Sequence, residues 1–207
     1  MRPRIFMLAL ASALALVIAG CGSSGSTTST PAKTSAAATS TNGGPNPNGP
    51  EVSPSGDIPD NQAYVAYKPA AAGYSVKVPE GWGQTATQGG ASFTDKLNAI
   101  QAQLTTAPGP LTIAQANGTL VPQLASKKGY HAGTVTTVSR TAGPAVRITY
   151  LAAGPTDPVT GKSPANAVEQ YVFFHKGKRL TLTLSGPKGA DNVDPWKIVT
   201  NSVRWTS

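Results

Sequence analysis

Residues 22–50 are built only from Gly, Ser, Thr, Pro, Ala and Asn, with Lys33 the one exception. A stretch without large apolar side chains has nothing to offset the entropy of ordering, so it is expected to stay disordered. Any core must therefore come from elsewhere in the 207 residues. Residues 51–62 remain Pro-rich and add Glu51, Asp57 and Asp60. As a flexible coil, residues 22–62 would reach roughly 35 Å, which suits a spacer. The Ser/Thr/Pro mixture also suits O-linked sugar. From Tyr64 onward the composition changes: all three Trp, all six Tyr and three of the four Phe lie in 64–207. Those 144 residues are long enough to bury a sizeable core.

The first twenty residues read as an address. Arg2 and Arg4 precede an apolar run from Ile5 to Ala19, the pattern of a secretory signal. The run is shorter than the ~20 residues of a spanning helix. It ends in Ile18-Ala19-Gly20-Cys21, which resembles the bacterial lipobox. That resemblance implies a diacylated Cys21 as the mature N-terminus and a tether outside the cytoplasm. The expected organisation is a leader over 1–20, lipidated Cys21 with its stalk over 21–62, and a folded domain over 63–207.

Strand signals dominate the domain. Short β-rich runs at 64–68 and 74–78 flank a turn at Pro69–Gly73. Further runs fall at 91–95, 99–106, 134–140, 146–151, 167–175 and 179–185, with Gly143-Pro144 and Lys176-Gly177-Lys178 as turns. Leu180, Leu182 and Leu184 alternate with Thr181 and Thr183, so one face of that strand is expected to be buried. Connections this short favour antiparallel pairing. Two segments read as helical. Leu111–Lys128 carries Pro122, which calls for a kink or a late start, and ends in Lys127 and Lys128 before Gly129. In Asp194–Val203, Asp194 is the expected N-cap, Pro195 the first helical residue, and Trp196, Val199 and Val203 the buried stripe. Trp205 is expected to pack under the sheet's edge.

Tyr74-Ser-Val-Lys-Val-Pro-Glu-Gly-Trp82 resembles the opening of PsbP-like domains and of actinobacterial LpqN-type lipoproteins. Phe93-Thr-Asp95 resembles the strand that follows in those families, and the later order of elements over 64–206 fits as well. The resemblance implies an α+β fold, an α/β/α sandwich with a central, mainly antiparallel sheet flanked by helices. It also implies a non-catalytic binding or assembly subunit, with no catalytic residue to carry over. Independently of any family, Pro79 ends a strand, Gly81 permits a sharp turn and Trp82 folds back on the core.

The residue inventory argues in the same direction. One Cys excludes an internal disulfide framework, and two histidines exclude a His-rich metal centre. There is no Gly-x-Ser-x-Gly elbow, no His-x-x-x-His, no calcium-type acidic loop and no phosphate cradle. No cofactor, metal or nucleic acid is expected. A hydrolase would have to use His131 or His175, and a lipid or apolar-ligand carrier would need a pocket between sheet and helix. For such a carrier, Trp82, Tyr74 and Phe93 are the candidate ligand contacts. The domain holds 14 Lys and Arg against six acids. His175, Lys176, Lys178 and Arg179 cluster on one hairpin, a candidate basic patch for anionic lipid headgroups or acidic wall polymers. The expected partners are the membrane, through Cys21, and an envelope protein, lipid or glycolipid.

Overall fold

The computed structural model describes residues 55–70, 73–156 and 159–206. The leader, Cys21 and most of the stalk lie outside the described residues. Ten strands form: β1 (Tyr64–Tyr67), β2 (Tyr74–Pro79), β3 (Gly83–Thr87), β4 (Gly90–Asp95), β5 (Asn98–Thr106), β6 (His131–Arg140), β7 (Gly143–Ala153), β8 (Ala165–His175), β9 (Lys178–Pro187) and β10 (Arg204–Trp205). Seven make one sheet in the order β3-β4-β5-β9-β8-β7-β6, and β1-β2-β10 make a second. Every pairing is antiparallel.

The large sheet is an α+β scaffold with two unlike faces. Leu180, Leu182 and Leu184 are fully buried on one face, opposite Leu104, Ala102 and Ile100 of β5. Tyr74, Val76 and Val78 of the small sheet pack there, together with Trp196, Val199 and Val203. Each such aliphatic or aromatic side chain contributes about 1.5–3 kcal/mol by leaving water. The opposite face is apolar only at the β7–β8 end. There Val146, Ile148, Tyr150 and Val168 receive Ala116 and Leu124 from the helical segment. The sandwich is therefore lopsided: one outer layer combines a helix with a three-stranded sheet, and the other is a short helical segment over part of the sheet.

The helical segment begins with a cap at Thr112, which the sequence reading did not anticipate. Thr112 and Gln115 form a reciprocal capping box, Gln115 N–H donating to Thr112 Oγ1 at 3.1 Å and Thr112 N–H to Gln115 Oε1 at 3.0 Å. After α1 (Ile113–Gln115) the chain widens into a π-turn over Ala116–Leu120, closed by Val121 N–H to Ala116 O, before α2 (Val121–Ala125). The wide turn is how the chain absorbs Pro122, which has no N–H to donate. Helix α3 runs Val193–Asn201, with Asn192 rather than Asp194 at its N-cap. Trp196 and Val199 are buried as expected, and so is Val203, although the helix ends at Asn201 and Val203 lies beyond it.

Two strands and one boundary depart from expectation. Strand β3, Gly-Gln-Thr-Ala-Thr, is mostly exposed and exists through its pairing with β4. Strand β10 pairs Trp205 with Tyr74, extending the small sheet. The ordered fold also reaches back to residue 55, ahead of the expected boundary at 63. Ile58 is buried in the main core, and its N–H donates to Asn192 Oδ1 at 2.9 Å. Asn98 and Asn192 both donate to Gly56 O, at 2.9 and 3.0 Å. One apolar side chain and two buried amides thus hold a segment whose composition gives little sign of order.

Candidate functional site

Tyr74 and Phe93, expected as ligand contacts, are core residues with 1% and 2% exposure. Tyr67 joins them by edge-to-face contacts, 5.0 Å to Phe93 and 6.4 Å to Tyr74. Tyr74 Oη is buried with no hydrogen-bond partner, and burial pushes its phenol far above the ordinary value, with Tyr67 adding to the shift. Trp82 is half-buried against the same cluster, after Pro79 ends β2 and Gly81 turns the chain at φ +83°. The three side chains share a packing neighbourhood, and none lines the depressions described below.

The β8–β9 hairpin closes through Lys176 and Gly177, both at positive φ, the geometry of a two-residue primed turn. Its basic residues do not make one patch. His175 stacks on Trp205, with ring centroids 5.2 Å apart. Arg179 Nη2 donates to Gly109 O at 3.0 Å, tying the hairpin to the loop before α1. Only Lys176 of the four is fully exposed. Cross-strand contacts that a linear reading does not contain divide the charges.

The two histidines are far apart. His131 opposes Leu151, which opposes Ala167, and Ala167 lies eight residues before His175 on β8. At a strand's rise that is about 26 Å. His131 edges a depression of about 180 Å³ that also touches Thr149, Glu169 and Trp196. Glu169 is already engaged: Tyr171 Oη donates to its Oε2 at 2.5 Å, and Arg147 Nη1 lies 3.8 Å from its Oε1. Arg140 donates to Tyr171 Oη at 3.2 Å and to Thr200 Oγ1 at 2.9 Å, and its guanidinium lies 5.1 Å over the Tyr171 ring. Burial, then the Glu169 bond, raises the Tyr171 phenol against the lowering effect of Arg140. This cluster clamps α3 to β6 and β8, a structural task. Among the described residues no three His, Cys, Asp or Glu gather as a metal site.

The opposite face of the large sheet is the open one. A row of uncharged polar residues crosses five strands: Thr85, Ser92, Gln101, Thr183 and Gln170, in register. Gln170 Nε2 donates to Thr183 Oγ1 at 3.3 Å within it. Where this face meets the end of α2 there is a depression of about 500 Å³. Thr183, Ser185, Asn166 and Tyr150 line it, and Lys127 and Lys128 stand at its side. A second depression, about 640 Å³, shares Pro155 with the first and is lined by Lys96, Leu97 and Lys162. These are sizes typical of small-molecule sites. Between the helical segment and the sheet, by contrast, the space beside Leu111, Val146 and Phe174 is about 120 Å³. Sequence reading missed the groove because Lys127 and Lys128 satisfy the rule for a helix C-terminus. The available signal was the hydroxyl alternation Thr181, Thr183, Ser185 opposite the buried leucines.

No family model matches the chain, and no curated protein matches it. Solved structures give distant likenesses. The solution structure of cyanobacterial PsbP from Synechocystis is 16% identical, with TM-score 0.48, covering 70% of this chain and 93% of that one. The crystal structure of LpqN, described as involved in cell envelope biogenesis of Mycobacterium tuberculosis, is 14% identical, with TM-score 0.46, covering 72% and 93%. A Bacteroides thetaiotaomicron protein is 11% identical, with TM-score 0.42, covering 65% of this chain and 46% of that one. The first two carry the names of the groups that residues 74–82 resemble. At these TM-scores the likeness carries no family and no function across, and the α+β assignment rests on the strand order and packing of this chain.

Proposed function

We propose that this chain is a lipid-anchored, non-catalytic binding or assembly module working outside the cytoplasm, with the open face of its large sheet as the binding surface. The observation that carries the reading is the Ile-Ala-Gly-Cys21 string at signal-peptide distance from Arg2 and Arg4, followed by a spacer-like segment. Two acyl chains on one residue meet the requirement for stable anchoring, each buried CH₂ adding about 0.8 kcal/mol. No helix among the described residues is long and apolar enough to cross a membrane. The groove beside Lys127 and Lys128 supports a binding role, because it pairs ligand-sized space with hydroxyl and amide groups. A carrier with an enclosed apolar cavity finds less support, since the gap between helical segment and sheet is about 120 Å³. The decisive experiment is fractionation of cells making the wild type and Cys21→Ser. Wild type in the membrane fraction and the variant released is the expected result. A variant that stays with the membrane removes the anchor from the proposal.

A further inference from the structure

We infer that the open-face groove takes an acidic polysaccharide, its sugar hydroxyls on the floor and its acid groups toward the lysines. This rests on the reading of the open face as the binding surface. Four exposed cations, Lys127, Lys128, Lys96 and Lys162, line the two adjoining depressions, and no Asp or Glu among the described residues lines either. Asp95 precedes Lys96 in the chain but lines neither depression. The two depressions share Pro155 and each carries two lysines, so the cations are spread over neighbouring sites, which fits a chain with repeating charges better than one small anion.

The floor argues for sugar. Asn166 is 6% exposed and lines the first depression, yet its side-chain amide has no hydrogen-bond partner among the described residues. That amide is not sealed from solvent, so it is open to a ligand hydroxyl as both donor and acceptor. Beside it Thr183 and Ser185 present hydroxyls and Tyr150 an aromatic ring. Tyr150 is held by Tyr130, with ring centroids 5.8 Å apart. Ala152, Ala153 and Val168 line the same depression, so the floor is amphipathic: its amide and hydroxyls suit sugar hydroxyls and its apolar patches suit the C–H faces of sugar rings.

The test uses the full chain carrying Cys21→Ser, in native gels containing polygalacturonic acid, dextran or polyglutamate, and by sedimentation with phosphatidylglycerol vesicles. The expected result is retardation by polygalacturonic acid, weakened about three- to tenfold in Lys127→Gln/Lys128→Gln, as for exposed ion pairs. Asn166→Asp, which puts a carboxylate in the floor, is expected to abolish it. Lys176→Gln, on the remote hairpin, is expected to leave it unchanged. Equal binding of polyglutamate or of vesicles would overturn the polysaccharide inference in favour of charge alone. Retardation by dextran but not polygalacturonic acid would overturn the acidic class and leave the open-face reading standing. No retardation in any gel would overturn the polysaccharide inference and leave the open-face reading standing for another occupant. None of these outcomes depends on the lipid anchor.

Discussion

Asn192 offers a sharp test of how the fold is held. It sits at the N-cap of α3, where an asparagine ordinarily caps the helix, but its side chain makes no capping bond. Instead the amide, 3% exposed, accepts from Ile58 N–H and donates to Gly56 O and to Asn98 Oδ1 at 3.1 Å. Removing it in Asn192→Ala leaves Ile58 N–H and Asn98 Oδ1 buried without those partners, while Gly56 O keeps Asn98. At about 1–3 kcal/mol per orphaned group, the loss is about 2–6 kcal/mol, a large share of a typical stability of about 5–15 kcal/mol. Asn192→Asp separates the two roles. An acid is a good N-cap and suits the helix dipole, so a capping residue would tolerate it. In the network it loses both donors and aims a carboxylate at Gly56 O and Asn98 Oδ1. Urea unfolding should therefore show both variants destabilised by at least 2 kcal/mol, with faster hydrogen exchange over 55–62. An Asn192→Asp variant within 0.5 kcal/mol of wild type would refute the reasoning.

Three further outcomes follow from the same contacts. Tyr74→Phe deletes an unpartnered buried hydroxyl and is expected to change stability by less than about 1 kcal/mol or to raise it, whereas a larger loss in thermal unfolding would reveal a hidden partner. Burial raises the phenols of Tyr74, Tyr150, Tyr171, Tyr64 and Tyr67. The folded chain then holds protons that the unfolded chain releases, so their contribution is complete below the ordinary phenol value of 10.0 and is lost as pH rises above it. Urea midpoints should fall above about pH 10, less steeply in Tyr74→Phe, and a flat profile to pH 11.5 would contradict the burial. Lys176 sits at φ +44° in the β8–β9 turn. Lys176→Asn, better suited to that backbone, is expected to stabilise by a few tenths to about 1 kcal/mol, and any loss in the thermal midpoint would count against the turn geometry.

Much of the scaffold was legible because it is written in short-range patterns. Period-2 alternation at Leu180, Leu182 and Leu184 marks a strand with one buried face whatever its neighbours are. Pro79 and Gly81 mark a strand end and a turn for steric reasons alone. Trp196 and Val199 mark a helix face. The α+β character follows from these local signals. The Cys21 string is likewise local chemistry, and it lies in the part of the chain that the structure does not describe.

Tertiary structure decided the rest, since the deciding groups are distant in sequence. Strand β3 carries no hydrophobic period and is a strand because β4 supplies its partners. Residues 55–62 look like stalk, and join the fold because Asn192 and Asn98, 134 and 42 residues away along the bonds they make, bury their backbone groups. The basic hairpin read as one patch is divided by Trp205 and Gly109. The lysines that line the two neighbouring depressions come from the segment after α2, the β4–β5 turn and the loop before β8, three places no linear motif connects. Local sterics and side-chain periodicity act over a few residues, so a sequence displays them directly. Which cations converge, and which amide is left without a partner, depends on long-range pairing and exists only once the sheet has closed.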